Sequence, residues 1–143
     1  MVVQVKEHDK WVTIGEGYDG RNYKVFTALA GVRCCEGIVP ICEPRGLPDC
    51  PDTAYFDEGI KIDGNFIELI SSHRSGSIEE KGYWLGDHSY SWLLLSEVLA
   101  YDWTSGDRTW KWENFLLWLS GYAQMARYVG GPASIRFIFG FDS

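Results

Sequence analysis

The chain has 143 residues, a formal net charge of −7, and 45% hydrophobic against 23% charged residues. One domain of that length buries roughly two thirds of its unfolded surface, so a core needs no disulfide or metal to hold it. The negative balance excludes a general DNA- or RNA-binding surface, which needs a basic face to displace counterions, and no apolar run approaches the roughly 18 residues of a membrane span. Met1 to Glu7 alternates charge and lacks the apolar segment of a signal peptide, so a soluble, cytoplasmic protein is expected. Seven Trp, eight Tyr and seven Phe exceed ordinary usage, and that excess leaves room for a stacking surface beside the core.

Val2 to Glu7 and Trp11 to Ile14 read as a β-hairpin around His8-Asp9-Lys10, whose turn type is left open by the absence of Asn-Gly or Asp-Gly. Gly15-Glu16-Gly17-Tyr18-Asp19-Gly20 is a loop able to approach a ligand closely. It matches the bare spacing G-x-G-x-x-G, but its acids would repel a pyrophosphate and no βαβ unit surrounds it, so coincidence is the better reading. Asn22 is placed to cap a helix over Tyr23–Ala30, with Phe26, Leu29 and Ala30 on one face and Gly31 as its stop. Arg21, Asn22 and Tyr23 stand at its entrance, where free amides and a guanidinium could meet an anion; an ordinary cap beside an exposed arginine explains them equally well.

Residues 33–59 are irregular, because Pro40, Pro44, Pro48 and Pro51 recur too often for a helix. Cys34, Cys35, Cys42 and Cys50 fall in this part, but a vicinal pair is a poor substitute for the C-x2-C knuckle of a zinc site, and reduced thiols are favoured. In Pro44-Arg45-Gly46-Leu47-Pro48 two prolines stiffen the backbone around Arg45, which makes it a candidate contact for carboxylate or phosphate; the alternative is a surface ion pair. Residues 59–62 and 66–70 flank Asp63-Gly64-Asn65 as the clearest hairpin signal, and a polar loop over 71–82 follows.

Gly86-Asp87-His88-Ser89-Tyr90-Ser91-Trp92 is the stretch densest in groups that bind or transfer protons. As a strand it would put Asp87, Ser89 and Ser91 on one face and His88, Tyr90 and Trp92 on the other. The second set could wall a planar ligand such as a nucleobase; alternatively Asp87 or His88 meets partners elsewhere as acid, base or metal ligand. The competing reading is a locally bonded His88, serines that order a turn, and Trp92 in the core. Ser96 can cap a short helix over 97–101, and a long helix over 112–129 carries the stripe Phe115, Leu116, Leu119, Tyr122, Ala123 and Ala126. Gly130-Gly131-Pro132 ends it, and residues 134–141 close the chain as a strand with Phe137, Phe139 and Phe141 on one face.

Local strand pairing with one late strand returning to the sheet gives an α+β class: a mainly antiparallel sheet with helices packed on one face, in a single domain over 1–143. For nucleophilic catalysis there is no G-x-S-x-G elbow, and His8 and His73 lie in turn or loop stretches. Metalloprotease, Walker A and EF-hand patterns are also missing, so neither a cofactor nor a metal is implied.

Five segments in order, Arg21-Asn22-Tyr23, Pro44 to Pro48, Asp87 to Leu93, Leu99-Ala100-Tyr101-Asp102-Trp103 and Arg136 to Asp142, resemble a family of small phage and prophage proteins without an assigned activity. Members of that family often begin Gly-Cys-Asp-Ile-His, where this chain has Met1-Val2-Val3, so a metal-hydrolase role built on that Asp–His pair is not implied for it. The resemblance implies a phage accessory protein acting in the host cytoplasm against host defence, by binding and sequestering a nucleotide-derived signal. Arg21, Asn22, Tyr23, Arg45, Asp87, His88, Ser89, Ser91 and Trp92 are then the expected ligand-binding residues of a non-enzymatic protein, as a monomer or a homo-oligomer. The alternatives are a hydrolase or lyase that uses Asp87 and His88 on a nucleotide, and an inhibitor that masks a host protein.

Overall fold

The computed structural model describes residues 1–18, 20–33, 35, 37–48, 88–103 and 113–141. The expected hairpin over 59–70, the loop over 71–82, and Asp87, Cys34 and Cys50 lie outside them. Strands β1 (Val2–Glu7) and β2 (Lys10–Glu16) form the first hairpin. His8 and Asp9 both take left-handed backbone (φ 47° and 63°), so the two-residue turn is of the I′ kind, with His-Asp where Asn-Gly is usual. β2 runs on through Gly15 and Glu16, two residues past the expected strand end, because Val2 and Val3 of β1 supply their pairing partners.

Next come α1 (Tyr23–Ala30), β3 (His88–Leu94), α2 (Leu95–Ala100), α3 (Glu113–Ala126), a 3-10 turn (Pro132–Ser134) and β4 (Ile135–Phe141). The sheet order is β2-β1-β4-β3 with each neighbouring pair antiparallel. The class is α+β, as the pattern of elements predicts. Among the described residues, no helix is long and apolar enough to cross a membrane.

The core lies between one face of the sheet and the helices. Val3, Leu93, Ile135, Phe137, Phe139 and Phe141 meet Val25, Ala28 and Leu29 of α1, Leu95 and Val98 of α2, and Phe115, Leu119 and Ala126 of α3. Phe26, expected on the buried face of α1, is only half-buried at its margin. α1 ends at Gly31, whose φ of 71° suits glycine and whose amide bonds the Thr27 carbonyl at 2.8 Å. α3 stops at Ala126, three residues before the expected end: Tyr128 and Val129 bond back only three residues, and the Gly131 amide closes onto the Ala126 carbonyl at 2.8 Å. In α2 it is Glu97, not Ser96, that reaches back to cap, its carboxylate accepting the Leu94 amide at 2.8 Å. The helix accordingly begins at Leu95, with Ser96 inside it.

Much of the aromatic load is core. Phe115 meets Tyr18 (centroids 5.1 Å) and Trp103 (4.9 Å), and Trp118 meets Phe137 (5.1 Å). The same packing explains the glycine-rich loop. A Cβ on Gly17 would sit 2.9 Å from the Met1 sulfur, and one on Gly20 only 2.3 Å from the Tyr18 hydroxyl, whose ring is held against α3. At both positions a Cβ would force a neighbouring side chain to shift.

The other face of the sheet buries a polar row. Arg136 of β4 is 4% exposed; its Nε donates to Gln4 Oε1 at 2.7 Å, and Gln4 Nε2 donates to Thr13 Oγ1 at 3.0 Å. The Trp11 ring lies 4.3 Å from the guanidinium. The row spans three strands, and its middle member both accepts and donates. Gln4→Leu should therefore cost about 3 kcal/mol, the scale for stripping a partner from a buried charge, and Thr13→Val about 1 kcal/mol. Midpoints of urea unfolding at unchanged slope measure both.

Candidate functional site

A bulge at the start of β3 decides where the expected site residues go. His88 pairs with Phe141 and Ser91 with Phe139, so Ser89 and Tyr90 together face Gly140. Ser89 takes the left-handed conformation (φ 55°) that such a bulge usually gives to glycine. Strict alternation predicted His88, Tyr90 and Trp92 on one face. The extra residue instead turns His88 onto the face of Phe141, which Ser91 and Leu93 share, while Trp92 pairs with Ile138 on the opposite face. The expected wall of His88, Tyr90 and Trp92 is therefore split. Trp92 is also not in the helix-side core; it is half-buried on the side of the polar row.

On the helix side, rings run in a string from β3 to the entrance of α1. His88 lies 6.2 Å from Phe141, Phe141 lies 5.0 Å from Phe26, and Phe26 lies 6.0 Å from Tyr23. Tyr23 is 46% exposed, and the Arg33 guanidinium sits 5.2 Å from its ring centre. Arg33 is exposed, follows the Gly31 stop, and is itself left-handed (φ 66°). The sequence reading did not single it out: an arginine in an irregular stretch carries no periodic signal, and only the fold shows it reaching back along α1. Arg21 stands exposed at the same helix entrance.

The helix amides expected to greet an anion are occupied. Asn22 Oδ1 accepts from the amides of Lys24 (3.1 Å) and Val25 (3.3 Å). Asn22 is thus a cap whose side-chain oxygen is committed to the helix.

Arg45 is drawn to a different place. Its loop lies along the outer edge of β3, where Gly46 N–H donates to the Tyr90 carbonyl (2.8 Å) and Arg45 N–H to Ser91 Oγ (3.0 Å). The guanidinium crosses to the Trp92 ring at 4.7 Å, donates to the Trp92 carbonyl at 3.3 Å, and grips both carboxylate oxygens of Glu97. The surface ion pair foreseen as the alternative is therefore present, in bidentate form. Hydrogen bonding from Arg45 holds the Glu97 carboxyl below the usual carboxylate range, against a smaller opposing effect of burial, and the same pair raises Arg45.

A cleft of about 410 Å³ opens between α2 and α3, lined mainly by Leu99, Tyr101, Trp103, Leu116 and Leu119. None of the expected site residues lines it. Among the described residues no group of three or more His, Cys, Asp or Glu could hold a metal ion. Cys35 and Cys42 are free thiols at the margin of the core. The chain matches no family model, no curated protein and no solved structure.

The Arg45–Glu97 pair has a checkable acid signature. A carboxyl depressed in the folded state contributes stability above its unfolded value of about 4.3, and that contribution is lost as pH falls through the folded value. Side chains about 30% exposed limit the pair to about 1 kcal/mol. Arg45→Ala with Glu97→Gln should show coupling of that size at pH 7, lost as pH falls through the lowered Glu97 value, in a double-mutant cycle read by chemical unfolding.

Proposed function

We propose that this protein is a binder that captures a small nucleotide-like molecule at the entrance of α1, in the anti-defence role that the phage resemblance implies. The carrying observation is Tyr23, 46% exposed, with the exposed Arg33 guanidinium 5.2 Å from its ring centre and the exposed Arg21 two residues before it in the chain. Exposed aromatic faces stack on a base whatever its identity, and nearby guanidinium groups match phosphate oxygens. This reading shifts the phosphate contact from Arg45, which is engaged by Glu97, to Arg33 and Arg21. Asn22 and Ser91 then support the site: the first caps α1, and the second anchors the Arg45 loop. Sequestration needs affinity and no turnover, so a site of rings and cations is sufficient for it.

Thermal melts with cyclic nucleotides, dinucleotides and ADP-ribose derivatives test this, alongside mass spectrometry of small molecules released on denaturation. A ligand at 100 times its Kd adds about 2.7 kcal/mol, which raises the melting point by roughly 10 °C in a chain of this size. Tyr23→Ala and Arg33→Ala lie on exposed positions and should each weaken binding at least tenfold while leaving the unliganded melt within about 2 °C. Absence of any stabilising nucleotide together with absence of a released ligand would sink the proposal.

A further inference from the structure

The bulge that turns His88 also assembles a nucleophile and a base. Ser89 Oγ lies 2.9 Å from His88 Nδ1, within hydrogen-bond reach of a base. In the Nε2–H tautomer Nδ1 accepts the serine proton. Ser89 is held in left-handed backbone, a conformation costly for a residue with a Cβ and found preferentially where the surroundings impose it. His88 is held in turn by the face of Phe141, and both residues are half-buried rather than sealed in the core. We propose that Ser89 is a reactive nucleophile with His88 as its general base, able to accept an acyl group from a small activated ester.

In that step a bond forms between Ser89 Oγ and the acyl carbon while the serine proton passes to His88 Nδ1. The ester's carbon–oxygen bond breaks, and the alcohol leaves with that proton. Water then cleaves the seryl ester, releasing the acid and restoring Ser89, so no other co-reactant is required. This inference stands on the Ser89–His88 geometry and does not depend on the nucleotide ligand proposed above.

A fluorophosphonate probe reads it directly on the whole chain. Ser89 Oγ bonds phosphorus, the phosphorus–fluorine bond breaks, and fluoride leaves with the serine proton. Intact-mass and peptide mapping should find one adduct, on Ser89. Ser89→Gly fits the left-handed position, so it should fold and take no label. His88→Phe keeps a ring against Phe141 and should slow labelling at least 100-fold, the lower end of what a positioned base contributes. Circular dichroism melts confirm that both variants are folded. An unlabelled Ser89 in the native protein, or equal labelling rates in native and His88→Phe protein, would overturn the assignment. A nucleotide that binds while Ser89 stays unlabelled rejects only this inference, and a labelled Ser89 without nucleotide binding rejects only the capture reading.

Discussion

The burial of Arg136 sets the terms for the rest of the fold. Removing a guanidinium almost wholly from water costs several kcal/mol, which the Gln4 acceptor on its Nε–H helps to offset. Gln4 lies opposite Arg136 on β4 and opposite Thr13 on β2, so one row of side chains ties three strands together. A slip of β4 by one residue would carry Arg136 to the helix side, among the phenylalanines, and break its hydrogen bond to Gln4. With that register fixed, Ile135, Phe137, Phe139 and Phe141 all face the helices, and Phe141 arrives opposite His88 at the end of the sheet.

What β4 fixes at its end, the bulge in β3 then uses. Inserting one residue changes which side of the sheet His88 serves while leaving Leu93 against Phe137 and Trp92 against Ile138. The bulge also sits beside the place where the Arg45 loop bonds Tyr90 and Ser91. Part of the outer edge of β3 is thereby covered, which protects an edge strand from pairing with other chains. Arg45 is an anchor in this arrangement: Trp92, Glu97 and two backbone groups of β3 and its loop hold it, and Glu97 caps α2 at the same time.

Where the sequence carried a repeating physical signal, it was readable. α1 runs from Asn22 to Gly31 as its cap and stop residues imply, the first hairpin follows from valine alternation, and the alternate phenylalanines of β4 share a face. Irregular features were not readable, because they depend on partners distant in the chain. Nothing local distinguishes Ser89 as the left-handed residue of a bulge; that follows from Gly140 across the ladder. The Glu97 cap depends on Leu94 rather than on the residue type at Ser96. The engagement of Arg45 by Glu97 spans 52 residues, and the reach of Arg33 to Tyr23 follows from the turn after Gly31.

Three arginines among the described residues rest on aromatic rings, and they differ in how far they could respond to a ligand. Arg136 on Trp11 is buried and bonded to Gln4, so moving it would dismantle the polar row. Arg45 on Trp92 is gripped by a carboxylate, so an anion would have to displace Glu97 and free the Leu94 amide at the start of α2. Of the three, Arg33 on Tyr23 pairs an exposed cation with a ring that is itself 46% exposed. An exposed cation–π contact is worth about 0.5–1 kcal/mol, little enough for a phosphate and a base to replace it with stronger contacts to the same two side chains. Of these three pairs, the exposed one on Tyr23 is thus the one that a ligand would rearrange at the lowest cost.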